Sequence, residues 1–388
     1  MPGLLLKDVS LLQIGFLGPG DPTDVRSYSG VPYFAFRELK RRHSDIVHID
    51  VGDQSLSKLA MRLNRGALRL TGRKVLASEP TFRLRKAARD ADRQIEAASL
   101  DAVICLNVDF LIAFLQCKTP IIHNSDTTFA AIADYYENYK TLSGVSRRRA
   151  MSLTQTALAR ANGHSFPSEW ARKSGIDAYN INPKNAHVIP YGANLSEPPQ
   201  RSDATGRVAG GTVRFLFIGG DWERKGGPLA YQTMLNLIEQ GIDASISIVG
   251  AKPDIDHPKL RKLGFLNKQI PDDLSLYNQL WRDASFLFMP TQQETFGAIY
   301  SEAAANGVPV IACETGGVGS CVIDGATGRL LDFASTPDQF AKAIVDIWND
   351  PNVYSAMSNA ARDRYETVLN WGTWADHMLD LVKATAGK

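Results

Sequence analysis

Short apolar runs of strand length recur along this chain, each followed by a stretch of helical period, and the scheme is run through twice. In the first half, strands are expected at Leu11–Leu17, Asp45–Val51, Ala102–Asn107, Pro120–His123 and Gly163–Phe166, with Ala186–Pro190 closing the set. Helices are expected at Gly30–Arg42 and Arg147–Asn162, and from Ser168 to Gly175. The second half repeats the pattern, with strands at Val213–Ile218, Ser245–Val249, Phe286–Met289 and Pro309–Ala312 and a helix at Pro228–Glu239. Helices follow at Pro351–Thr367 and Trp371–Ala384. Alternating β and α patterns imply right-handed βαβ units and parallel sheets. Ligands of such sheets bind beyond the carboxyl ends of the strands. That directs attention to the strand-to-helix turns.

The two halves are separated by residues 196–212, rich in Pro, Gly and Ser and without periodicity, which reads as a linker. The expected division is therefore 1–195, linker 196–212, 213–370, and a terminal helix over 371–388. At 388 residues the chain is long for one core and comfortable for two. Net charge is +2, which implies no polyelectrolyte partner, so nucleic acid is not expected. The four cysteines form no CxxC pair; Cys105, Cys313 and Cys321 lie in or beside apolar stretches and read as reduced, buried thiols of a cytoplasmic protein. Lys7 and Asp8 break the N-terminal apolar run, so no signal peptide is expected, and no stretch reaches eighteen apolar residues.

The most informative turn is Pro290-Thr-Gln-Gln-Glu-Thr-Phe-Gly-Ala-Ile-Tyr-Ser-Glu302. Glu294 falls between a strand and a helix, and Glu302 lies inside the helix. Eight helical positions would set the two carboxylates near one face and about 12 Å apart. That suits an extended polyhydroxylated ligand and is too wide for an acid/base pair sharing one glycosidic bond. Gly297 lets the backbone approach closely at a helix start, where free N–H groups favour a phosphate. A second turn, Phe217-Ile-Gly-Gly-Asp-Trp-Glu-Arg-Lys-Gly-Gly-Pro228, opens the second half directly after its first strand. There a lysine can meet a diphosphate as a mobile point charge and an arginine can fork two oxygens.

Glu-x-Phe-Gly-x4-Glu-Ala-x-Ala-x-Gly-x-Pro-Val, running from Glu294 to Val310, closely resembles the donor-site signature of the family-4 retaining glycosyltransferases. The resemblance covers nearly the whole chain and is most specific from Phe286 to Gly317. It implies an α/β GT-B fold: two Rossmann-like domains with an interdomain cleft, the last helix crossing back to the N-terminal domain. It implies transfer of a sugar from a UDP-, GDP- or ADP-sugar to a hydroxyl acceptor (a glycan, a lipid-linked or a small molecule), without a cofactor or metal. On the same footing, Glu294 would contact the donor sugar and Glu302 the ribose. Lys225 would meet the diphosphate, and Gly297, Ala298 and Ile299 would offer dipoles. Gly219, Gly30 and Gly317 would allow close approach to the donor. Where family members carry an arginine this chain has Gly220, and Arg224 is the substitute. A histidine that faces the anomeric carbon in many members corresponds to Asp126, counted from Pro120; Asp before Thr-Thr-Phe also suits a helix cap. These two departures keep a second reading open, a catalytically silent GT-B protein that binds nucleotide-sugar.

A dinucleotide fingerprint at Gly18-x-Gly20 fails, because Thr23 stands where its third glycine belongs. Asp254-Ile-Asp256 mimics an Asp-x-Asp metal motif, and a site built on lysine and glycine has little need of one. Residues 54–98 carry eleven Lys and Arg against four Asp and Glu. Within them Lys58, Arg62, Arg65 and Arg69 recur at helical spacing beside Leu59, Leu63 and Leu70. Over 58–70 the pattern suits a solvated helix face, and also peripheral contact with anionic lipid on the inner face of a membrane.

Overall fold

A computed structural model describes residues 12–52, 68–69, 71–75 and 81–386. The chain divides into two compact units, Met1–Pro190 with Trp371–Lys388, and Tyr191–Asn370. Residues 196–212 thus count with the second unit. They include a helical turn, Arg201–Ala204, and Arg207, which donates to the carbonyls of Trp281 and Ala284, both at 2.7 Å. The basic pattern at Lys58, Arg62 and Arg65 lies outside the described residues. The helix Thr81–Ala97, in the same basic stretch, buries Leu84, Ala88 and Ile95 and leaves Arg85, Lys86 and Arg89 exposed.

The first unit holds six parallel strands: β1 (Ile14–Leu17), β2 (Ile46–His48), β3 (Ala102–Leu106), β4 (Ile121–Asn124), β5 (Gly163–Phe166) and β6 (Ala186–Val188). Their order is β2-β1-β3-β4-β5-β6. β1, β3, β4 and β5 are buried along their whole length; β1 and β3 read as unbroken apolar runs, while β4 and β5 also bury His123, Asn124, His164 and Ser165. The terminal helix Trp371–Ala386 packs on the helix Val31–Arg42 of this unit, with Trp371, Trp374 and Met378 buried and Arg42 paired to Asp376.

The second unit repeats the architecture with β7 (Val213–Gly219), β8 (Ala244–Gly250), β9 (Leu260–Gly264), β10 (Phe286–Met289), β11 (Val310–Cys313) and β12 (Gly328–Leu331). The order is β12-β11-β10-β7-β8-β9, again all parallel. Phe286, Leu287, Phe288 and Met289 are fully buried in the centre of this sheet. The Asp324–Gly328 turn runs straight into β12, an edge strand only partly buried, with Arg329 in its sequence. All four cysteines are buried and free, Cys117 included. Among the described residues no helix is long and apolar enough to cross a membrane.

Each sheet has one point where the chain reverses its direction of travel. In the first it lies between β1 and β3, in the second between β7 and β10. Loops leaving neighbouring strands in opposite directions open a crevice there, the habitual ligand site of such sheets.

Candidate active site

In the second unit the loops after β7 and β10 flank the crevice, and three features lock them together. Gly226 has φ +78°, and a Cβ there would stand 1.9 Å from the Pro290 carbonyl oxygen, so the first loop lies directly on the second. The Gln292 N–H donates to the Arg224 carbonyl at 3.0 Å. The Arg224 guanidinium donates to the Gln293 carbonyl at 3.0 Å and to Asp221 at 3.2 Å. The result brings Lys225 onto Glu294, sixty-nine residues away: their side chains form an ion pair, with 15% and 12% of their surfaces exposed. At that exposure the pair is screened far less than a surface bridge.

Gly297 precedes the helix Ala298–Ala305 with φ +85°. A Cβ there would meet the Tyr300 ring at 2.6 Å, so glycine alone lets the helix start this close to the strand end. The N–H groups of Ala298 and Ile299 fall in its first turn, where backbone donors lack helical partners. Gly317 donates its N–H to the Glu294 carbonyl at 3.0 Å, adding the loop after β11 to the same wall. Gly219 ends β7 under the Lys225 stem, and a Cβ on Gly220 would meet nothing within 4 Å.

Because the helix begins at Ala298, the stretch from Glu294 to Gly297 is not helical, and the expected eight-position helical spacing between the glutamates does not hold. Glu302 is 4% exposed. Its carboxylate accepts from Lys268 Nζ at 3.0 and 2.9 Å and from the Tyr277 hydroxyl at 2.6 Å. Burial and then the Glu302 charge push the Tyr277 phenol well above its ordinary range, so it stays a donor. Sequence reasoning missed Lys268 and Tyr277. A lysine beside an isolated tyrosine helix carries no signal until the fold sets both against a buried glutamate.

In the first unit a cavity of about 590 Å³ opens at the carboxyl ends of β1, β3 and β4. Gly18–Gly20, Tyr28, Asn107, Asp109 and Asp126 line it. Tyr28 and Ser29 adopt φ of +46° and +58°, and Gly30 follows at +84°. Two consecutive non-glycine residues in that region cost about 1–3 kcal/mol each. The Asp126 N–H donates to Asn107 Oδ1 at 2.9 Å. Asp126 and the half-exposed Tyr28 line the same cavity, and the Asp126 charge pushes the Tyr28 phenol above its usual range; the Tyr139 phenol is pushed up by burial first and then by Asp126.

Asp126 is not a helix cap. Thr128 caps the helix Phe129–Ala133, accepting from the Ala131 N–H at 3.3 Å. His123 is fully buried in β4, with Nε2 lying 3.2 Å from Asp109 Oδ1 and its ring against His164 and Phe166. It supports the cavity from behind and does not line it. Asp256 pairs with Lys262 on an exposed loop. Among the described residues no group of three or more His, Cys, Asp or Glu is placed to hold a metal ion.

Residues 212–350 match the family model described as glycosyl transferases group 1. The D-inositol 3-phosphate glycosyltransferase of Corynebacterium diphtheriae is 28% identical over 218 residues, 51% of this chain and 49% of that protein. Its counterpart in Corynebacterium glutamicum is 24% identical over 285 residues, 68% of this chain and 66% of that protein. The chain spans about half the length of several of the curated relatives it matches. Among solved structures, sucrose-phosphate synthase from Thermosynechococcus elongatus superposes with a TM-score of 0.67 at 16% identity, over 95% of this chain and 98% of that one. The Anabaena protein HepE in complex with UDP superposes with a TM-score of 0.65 at 13% identity, over 96% and 100%. This chain therefore has the GT-B fold, and its residues 212–350 are similar to the glycosyl transferases group 1 family.

Proposed function

We propose that the chain is a retaining glycosyltransferase that moves a sugar from a nucleoside-diphosphate sugar to a hydroxyl acceptor. The observation that carries this reading is the shielded Lys225–Glu294 pair at the reversal point of the second sheet, within the segment matched by the family. An incoming diphosphate replaces Glu294 as the partner of Lys225. The carboxylate thus released accepts from hydroxyls of the donor sugar. Lys225 and the amides of Gly297–Ile299 then neutralise the charge that develops on the departing diphosphate, the largest electrostatic demand of the step. Arg224, anchored to Asp221 and to the Gln293 carbonyl, adds positive charge to the same wall. Glu302 holds the ribose. The leaving phosphate takes the acceptor proton, so no separate general base is required.

The cavity of the first unit is assigned to the acceptor. Asp126 is exposed to it, is not used as a cap, and stands beside two phenols, Tyr28 and Tyr139, that remain protonated donors. A carboxylate among such donors can orient an acceptor hydroxyl.

Incubation with labelled UDP-, GDP- and ADP-glucose tests the reading. Slow release of sugar with its anomeric configuration kept, from one of the three, is the expected result. Binding without release assigns a silent nucleotide-sugar binder, and a chain that neither binds nor cleaves any nucleotide sugar refutes both readings.

A further inference from the structure

We infer that Lys268 is a positioning residue of the nucleotide site, fixing the Glu302 carboxylate for the ribose; the inference rests on the donor reading above. Lys268 has three N–H donors and three acceptors within reach. These are Glu302 Oε1 at 3.0 Å, Glu302 Oε2 at 2.9 Å and the Asn194 carbonyl at 3.3 Å. Its ammonium also lies 4.4 Å from the centre of the Tyr277 ring. With every donor engaged, the lysine has none to spare for a ligand, and its work is done through Glu302.

The loop that carries it is itself pinned. The Asn267 N–H donates to Asp273 Oδ2 at 2.8 Å, the Gln269 N–H to Asn267 Oδ1 at 3.0 Å, and the Ile270 N–H to the Asn267 carbonyl at 2.8 Å. Tyr277 stands two turns into the helix Pro271–Asp283 that follows, so loop and helix present lysine and phenol to one carboxylate. A glutamate at 4% exposure would otherwise hold a costly unpaired charge or rotate to find a partner. Two bonds from Lys268 and one from Tyr277 occupy about three of the four acceptor positions of the carboxylate. What remains is directed, and it lies on Oε1. Charge-assisted bonds of this kind are strong enough for their loss to alter affinity by tenfold or more.

Isothermal titration of Lys268→Met and Tyr277→Phe tests this. The probe is whichever of UDP, GDP and ADP most raises the wild-type melting temperature, compared with its 2′,3′-dideoxy form. Lys268→Met should weaken the ribonucleotide by about tenfold or more and Tyr277→Phe by about threefold, while the dideoxy form changes by less than about twofold. Equal loss with both forms means a structural role only and overturns the inference, as does unchanged affinity for both. Should Lys268→Met not fold, Tyr277→Phe alone decides by the same criterion. If no nucleoside diphosphate stabilises the wild type, the donor reading itself has failed.

Discussion

The two units place their candidate sites at the same point of the same kind of sheet and fill them with opposite electrostatics. In the second unit each glutamate of the Glu294-to-Val310 motif meets a lysine: Lys225 on Glu294, Lys268 on Glu302. In the first, the charged residues among the described lining of the cavity are Asp109 and Asp126, and the phenols around them stay protonated. Loops at a reversal point supply a crevice and nothing more. The chemistry is set by which side chains the loops carry. A crevice with an exchangeable lysine, Lys225, can take a diphosphate. A crevice of carboxylates and phenols repels phosphate and suits hydroxyls.

The contrast is broken most severely by Lys225→Ala. Turnover should fall by about a hundredfold or more while donor affinity changes less, because the charge acts mainly in the transition state. Steady-state kinetics that show the loss in KM alone would take Lys225 out of the chemistry. Next in size, Glu302→Ala should weaken nucleoside diphosphate binding by about 1.5–3 kcal/mol per lost charge-assisted bond, with the fold retained. Calorimetry giving unchanged affinity would remove the ribose role.

Acid should separate the units by stability. Burial, then the neighbouring His123 and His187, push the His164 imidazole in the first sheet down to about 3. Its unfolded value is about 6.5, so the unfolded chain binds the extra proton between these limits. Stability is therefore complete above about pH 6.5 and falls as the pH drops toward 3, by roughly 1–2 kcal/mol between pH 7 and 5. Melting curves of wild type and His164→Phe check it; the variant should show a shallower slope.

The smallest effect is expected from Asp126→Asn, which keeps the shape and removes the charge. Transfer should slow by about tenfold, about 1.4 kcal/mol of barrier, with nucleotide affinity unaltered. Since Thr128 is the cap, Asp126→Ala should also stay within about 1 kcal/mol of wild-type stability. Wild-type transfer rates in Asp126→Asn would leave the cavity without an assigned acid group.

Most strands of both sheets were legible because a strand covered on both faces is rich in apolar residues, wholly so at Phe286–Met289 and in part at Gly163–Phe166. The edge strands β9 and β12 were not, since Leu260–Gly264 and Gly328–Leu331 are only partly buried and carry Arg261, Lys262 and Arg329. Residue spacing misled only in counting eight helical positions from Glu294 to Glu302: the helix starts at Ala298, after the left-handed Gly297.

What the chain determined alone was local. Apolar period, turn glycines and the Glu294-to-Val310 signature are written in neighbouring residues, so one sequence displays them. The partners were decided by tertiary structure. Lys225 meets Glu294 across 69 positions, Lys268 meets Glu302 across 34, and Asp126 lines the cavity while Thr128 takes the cap. Such pairings arise from strand order and from the close approach at Gly226, which no local pattern encodes, because residues far apart in sequence become neighbours only when the sheet assembles.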